Sequence, residues 1–305
     1  MSQPRCIDDR TAIVGECPLW DRDRAMLWWV DMYGAMVHGL DPSSGATRCL
    51  PLEGHGLAAA LASCEDGRLL VGSERGLHLL DPDDGSLSAM CDPRGDRPWL
   101  AFNDARVDPH GALWVGTWDT GFVEGQAGGR RSVLFRFGPD GTLSEPLSGL
   151  AVVNGPAFSP DGGTIYVCDI MAGTVLAAPL DGDGLVGDWR VLATAGDGGG
   201  PDGIVTDGQG GIWVAMWQGG RVVRYLPGGA VDRQIALPAP MTLSCCFGGS
   251  DLATLFVVTA TDGLDAAALE RAPPSGRLFA VEPGEGGWAE RSFAPAVLSG
   301  RARHA

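Results

Sequence analysis

The sequence contains no lysine: all 22 of its basic residues are arginine. Chemistry that depends on a lysine amine is therefore excluded, including Schiff-base and pyridoxal-phosphate catalysis and P-loop phosphate hydrolysis. Positive charge is scarce overall, with 22 basic residues against 38 acidic ones and a net charge of −16. A nucleic acid or an anionic membrane would need the opposite footprint, whereas a cation or a neutral small molecule suits this one. No apolar run approaches the length of a membrane span, and the first residues (MSQPR) lack the apolar core of a signal segment. The eight cysteines (Cys6, Cys17, Cys49, Cys64, Cys91, Cys168, Cys245, Cys246) include no CxxC and no zinc-ligand pairing. They read as packing residues of a cytoplasmic protein in a reducing setting.

Glycine (47), proline (21) and tryptophan (10) are plentiful, and 45% of the chain is hydrophobic. That is a turn-rich, aromatic chain with enough apolar content for a core. At 305 residues it is expected to form one domain over positions 1–305.

One pattern recurs: an apolar strand with an aromatic residue, a turn, and a second strand ending in a Pro/Asp/Gly turn. It appears at 26–45 (MLWWVDMYGAMVHGLDPSSG), 68–85 (RLLVGSERGLHLLDPDDG), 112–141, 164–184, 212–229 (IWVAMWQGGRVVRYLPGG) and 255–284. Units roughly 40–50 residues apart, each unable to bury its own faces, specify a β-propeller. The fold class predicted is all-β: a six-bladed propeller with a central channel. The segment at 265–272 (DAAALERA) reads as a short surface helix before Pro273. The terminal segments CIDDRTAI and WAERSFAP are expected to pair and close the ring. DPDDG at 81–85 resembles a calcium loop, but Ser86 stands where an EF-hand needs glycine, so it reads as a hairpin turn.

Aligning the units on the aromatic or large apolar residue of the first strand (Trp28, Leu70, Trp114, Tyr166, Trp213, Phe256) exposes a slot 11 or 12 residues upstream. It holds Glu16, Asn103, Asn154 and Asp202 in units one, three, four and five. Unit two offers Ala58 or Ala59, and unit six offers Ser244 or Cys245. Equivalent positions of successive blades ring the channel, so these four side chains should converge at one mouth. Two carboxylates and two carboxamides crowded together are costly without a cation. All-oxygen ligation favours one hard divalent ion, Ca²⁺, Mg²⁺ or Mn²⁺, with Zn²⁺ and Fe²⁺ also able to bind. The plainer alternative is that Asn-Gly and Asp-Gly are turn formers.

GECPLWD with LWWVD, FNDARVDPHGALWVGT, VNGPAFSPDG, PDGIVTDGQGGIWVA and CCFGG with LFVVTA together resemble the senescence-marker-protein/gluconolactonase/regucalcin family, in order and over nearly the whole chain. The resemblance implies a metal-dependent hydrolase of sugar lactones in carbohydrate metabolism. It assigns Glu16, Asn154 and Asp202 as metal ligands, Asp202 also as general base, and Asn103 to substrate or a metal-bound water. The partner implied is a small-molecule lactone, with no obligate protein partner. The family commonly carries arginine where this chain has Ala101, which opens the substrate class to non-sugar lactones or organophosphates. A non-enzymatic calcium-binding or docking propeller is the remaining reading.

Further expectations attach to single residues. Arg97 could substitute for the arginine missing at 101. His55 could reach the channel mouth, and Trp118, Asp119 and Glu124 could form a pocket wall. His38, His78, His110, Cys245 and Cys246 read as structural.

Overall fold

A computed structural model describes residues 2–123, 130–196 and 198–295 of the chain. Six four-stranded antiparallel sheets stand as blades around a channel, as the six repeat units predict. The innermost strands are Gly15–Asp21, Ala58–Ser63, Leu100–Val107, Asn154–Phe158, Gly200–Thr206 and Thr242–Gly248. They are almost wholly buried, polar residues included, because each is flanked by the neighbouring blades around the channel. The second strands carry Trp28, Leu70, Trp114, Tyr166, Trp213 and Phe256, all buried. Their side chains fill the wedges between blades, where no single sheet could bury them alone.

Two buried aspartates anchor this packing. Asp108 Oδ2 accepts from Trp114 Nε1 at 2.8 Å, and Asp207 Oδ2 accepts from Trp213 Nε1 at 2.9 Å. In each case Oδ1 accepts two backbone N–H groups of the following turn. The DPHGALW and DGQGGIW stretches therefore use the aspartate twice, to shape the hairpin and to satisfy the indole that the hairpin buries.

The ring closes differently from the sequence expectation. Arg5–Asp8 does pair, but with Leu278–Val281, as the outermost strand of the sixth blade. The WAERSFAP segment forms no strand. It crosses the mouth where the innermost strands end. Trp288 Nε1 donates to Thr206 Oγ1 (2.9 Å), Arg106 pairs with Glu290 (2.6 Å), and Phe293 exchanges backbone hydrogen bonds with Ser63 and Glu65. Phe293 is buried in the core between blades two and three. Its apolar ring needs burial, and the inter-blade cleft supplies it while the edge of blade six is already taken.

The helix lies at Ala266–Arg271, N-capped by Asp265, whose side chain accepts from Ala268 N at 2.7 Å. A second short helix, Thr120–Val123, was not anticipated. No helix among the described residues is long and apolar enough to cross a membrane.

Candidate functional site

Every innermost strand is irregular at one place. Its pairing with the second strand slips between Glu16 and Leu19, Ala58 and Ala60, Phe102 and Ala105, Asn154 and Ala157, Pro201 and Ile204, and Thr242 and Ser244. A bulge bends its strand and re-aims a side chain. Six bulges at one level turn six side chains toward the channel mouth where these strands begin. Four of them are Glu16, Asn103, Asn154 and Asp202, and all four line one cavity of about 210 Å³.

Asn154-Gly155 and Asp202-Gly203 are thus bulges inside strands, not turns, and the plainer reading of these dipeptides falls. Glycine is needed at both. Gly155 has φ of +88° and Gly203 sits where a Cβ would overlap the side chain and Cα of Ser244 on the next blade. At unit six the residue facing the cavity is Leu243, not Ser244 or Cys245. At unit two Ala59 packs with Leu243 in the apolar cluster beside it.

The polar groups are tightly tied on one side and unpaired on the other. Asn103 Nδ2 donates to Val153 O (3.0 Å) and to Asn154 Oδ1. Glu16 and Asp202 are buried and have no ion pair among the described residues; the backbone N–H of Cys17 supports the Glu16 carboxyl and that of Gly203 the Asp202 carboxyl. Burial pushes the Glu16 carboxyl well above the usual carboxylate range, and the charges of Asp202 and Asp104 add to this. Asp202 is likewise pushed well up, by burial first and then by Asp104.

Asp104 is the residue that sequence reasoning missed. Its Oδ1 accepts from Cys17 Sγ at 2.8 Å and its Oδ2 from Gly155 N at 2.9 Å. It therefore ties the bulge carrying Glu16 to the bulge carrying Asn154 from below. The visible hint was FND itself, consecutive polar residues in a strand buried at all eight positions.

A cation fits the donor set. Two buried carboxylates lack a counter-charge, and Asn154 Oδ1 keeps a second lone pair beyond the one Asn103 occupies. Among the described residues no cluster of three or more His, Cys, Asp or Glu side chains could hold a metal. Any ion here depends on the carboxamide as a ligand.

The rest of the lining is apolar: Met32, Ile170, Trp217, Met241 and Leu243, with Trp118 as expected. Tyr33, Met171 and Asp262 stand at its rim. Other expectations fail. Arg97 forks onto Glu145 at 2.7 and 3.1 Å and lies over Phe135, away from the cavity. His55 stacks edge-on against His78, with ring centroids 4.5 Å apart, and does not line the cavity. Asp119 is buried and paired to Arg131. Glu124 lies outside the described residues.

Residues 14–261 match the SMP-30/Gluconolactonase/LRE-like region. The chain is 33% identical to 6-deoxy-6-sulfogluconolactonase of Pseudomonas putida, over 95% of this chain and 98% of that one. It is 32% identical to L-arabinolactonase of Azospirillum brasilense, over 96% of each. The crystal structure of regucalcin from Agrobacterium tumefaciens, described as a calcium-binding protein, superposes with a TM-score of 0.87 at 30% identity, covering 95% of this chain and 96% of that one.

Proposed function

This chain belongs to the SMP-30/gluconolactonase/LRE-like family, and from that premise we propose that its cavity opens a sugar-lactone ring with the help of one divalent metal ion. It is a lactonase. The two relatives named above act, by their names, on sugar lactones, which supports an aldonolactone as substrate and the aldonic acid as product. The observation that carries the reading is the delivery of Glu16, Asn103, Asn154 and Asp202, by equivalent bulges of four blades, into one otherwise apolar cavity.

Glu16, Asn154 and Asp202 would hold the ion through oxygen. Bound there, a divalent cation supplies a Lewis acid that polarises the lactone carbonyl. Asp202 takes a proton from the attacking water, whose oxygen bonds to the carbonyl carbon. The ring C–O bond then breaks, and Asp202 returns the proton to the departing ring oxygen, so that a hydroxy acid leaves. The two N–H groups of Asn103 are taken by Val153 O and Asn154 Oδ1, which leaves its Oδ1 as the acceptor that orients a substrate hydroxyl or a water. The apolar walls lower the local dielectric and strengthen each of these contacts. All eight cysteines are free thiols, which supports a cytoplasmic setting.

Hydrolysis followed by pH-stat on a panel of aldono-γ- and δ-lactones tests this, using chelated enzyme with Ca²⁺, Mg²⁺, Mn²⁺, Zn²⁺ or Fe²⁺ restored singly. Chelation should lower turnover by about 100-fold or more, with recovery on adding at least one ion. Undiminished turnover after chelation removes the metal from the reading, and no turnover on any lactone removes the hydrolase.

A second expectation concerns Asp104. Replacing it with alanine frees both bulges that it ties, so affinity for the restored ion should fall about 10–100-fold in a titration followed by calorimetry. Unchanged affinity would mean that the bulges hold their shape without it.

A further inference from the structure

We propose that the cavity selects neutral lactones whose ring substituent remote from the carbonyl is apolar, a methyl or short alkyl group rather than hydroxymethyl, and rejects lactones bearing an anionic substituent. This rests on the lactonase reading above and goes beyond it to the substrate.

The lining is divided. Glu16, Asn103, Asn154 and Asp202 supply its buried carboxyl and amide groups and Tyr33 and Asp262 the polar atoms of its rim, while Met32, Ile170, Met241 and Leu243 form an apolar wall beside the indoles of Trp118 and Trp217. A lactone with its carbonyl at the polar end presents the opposite side of its ring to that wall. A hydroxyl there gives up water without gaining an acceptor from the thioethers and aliphatic groups. A methyl group there is removed from water at a gain of about fourfold in binding. The apolar surface continues outward, because Tyr33 and Met171 at the rim and the neighbouring Ile13 are among the few large apolar side chains exposed to solvent.

Charge points the same way. No described residue of the lining is arginine or histidine, and the chain has no lysine. The ionisable side chains that do line it are acidic, Glu16, Asp202 and the rim residue Asp262, apart from the Tyr33 phenol. Of the arginines in neighbouring segments, Arg97 is held by Glu145 and Arg131 by Asp119, while Arg130 reaches Asp169 at 3.5 Å and is absent from the lining. Position 101, directly across the strand pair from the lining residue Trp118, is an alanine. With a divalent ion balancing Glu16 and Asp202, an anionic substituent would still meet the Asp262 carboxylate at the rim and no fork to receive it.

Three aldono-δ-lactones of one stereochemistry, differing only in carrying CH₂OH, CH₃ or CH₂SO₃⁻ at the remote carbon, provide the test on metal-replete enzyme after subtraction of spontaneous opening. The methyl lactone should exceed the hydroxymethyl lactone about tenfold in kcat/KM. The sulfomethyl lactone should fall about 100-fold below the hydroxymethyl one. In Met171→Arg, a cation at the rim should narrow that deficit about tenfold. A wild-type enzyme that opens the sulfomethyl lactone as well as the hydroxymethyl one, or prefers hydroxymethyl over methyl, overturns the proposal while leaving the lactonase standing. Failure on all three and on the unsubstituted δ-lactone removes both together.

Discussion

Asp202→Asn should lower kcat for lactone opening by about 1,000-fold while leaving the propeller folded. The replacement keeps the size and an oxygen donor but removes the proton acceptor and one of the two buried carboxylates that line the cavity. Stability should move the other way. In the metal-free protein Asp202 is a buried carboxylate without a counter-charge, its pKa raised by burial and by Asp104 despite the Gly203 N–H. A carboxyl whose folded pKa lies above its unfolded value binds its proton more tightly when folded, so its ionisation costs stability as pH rises. The metal-free asparagine variant should therefore melt higher than metal-free wild type at neutral pH, and the gap should shrink as pH falls through the raised pKa. Turnover within tenfold of wild type would remove Asp202 as the base. A lower melting temperature at neutral pH would show that the carboxylate is paired in solution.

The second large effect is on folding alone. Asp207→Ala should cost about 4 kcal/mol, because one carboxylate then ceases to serve four donors. Its Oδ1 accepts from Gln209 N and Gly211 N, and its Oδ2 from Trp213 Nε1 at 2.9 Å and Arg224 Nε at 2.7 Å. Arg224 is buried and would keep only Asp232. Asp108 makes the equivalent three bonds to His110 N, Ala112 N and Trp114 Nε1 but no arginine contact. Asp108→Ala should thus cost less, about 2 kcal/mol. Chemical denaturation of the two variants side by side decides it. Equal losses would mean that the buried Arg224–Asp207 pair adds nothing beyond the turn and the indole.

Residues far apart in the chain became legible together because the repeat gave them a common phase. Glu16, Asn103, Asn154 and Asp202 share a distance from the next strand's large apolar residue, and the repeat converts that distance into one level of the channel. The composition carries a further mark: Asn103 and Asn154 are the only two asparagines in the chain, and both face the same cavity. Where phase alone was used, it erred by a residue. At the sixth unit it pointed to Ser244 or Cys245, but the bulge there spans only Leu243, and that single residue decides which side chain faces inward. Arg97 failed as a substrate contact because its reach was known but its competitor Glu145, 48 residues later, was not.

By itself the sequence determined the six blades, the aromatic wedges between them and the polar residues that gather at one mouth. These follow from local periodicity and from repetition, which act over a few tens of residues. Tertiary structure alone decided the Asp104 tie beneath Glu16 and Asn154, the apolar wall of Met32, Trp217 and Met241, and the passage of Trp288–Phe293 across the far mouth. Each of these depends on which surfaces from distant blades come within a few ångströms of one another, and no spacing along the chain encodes that approach.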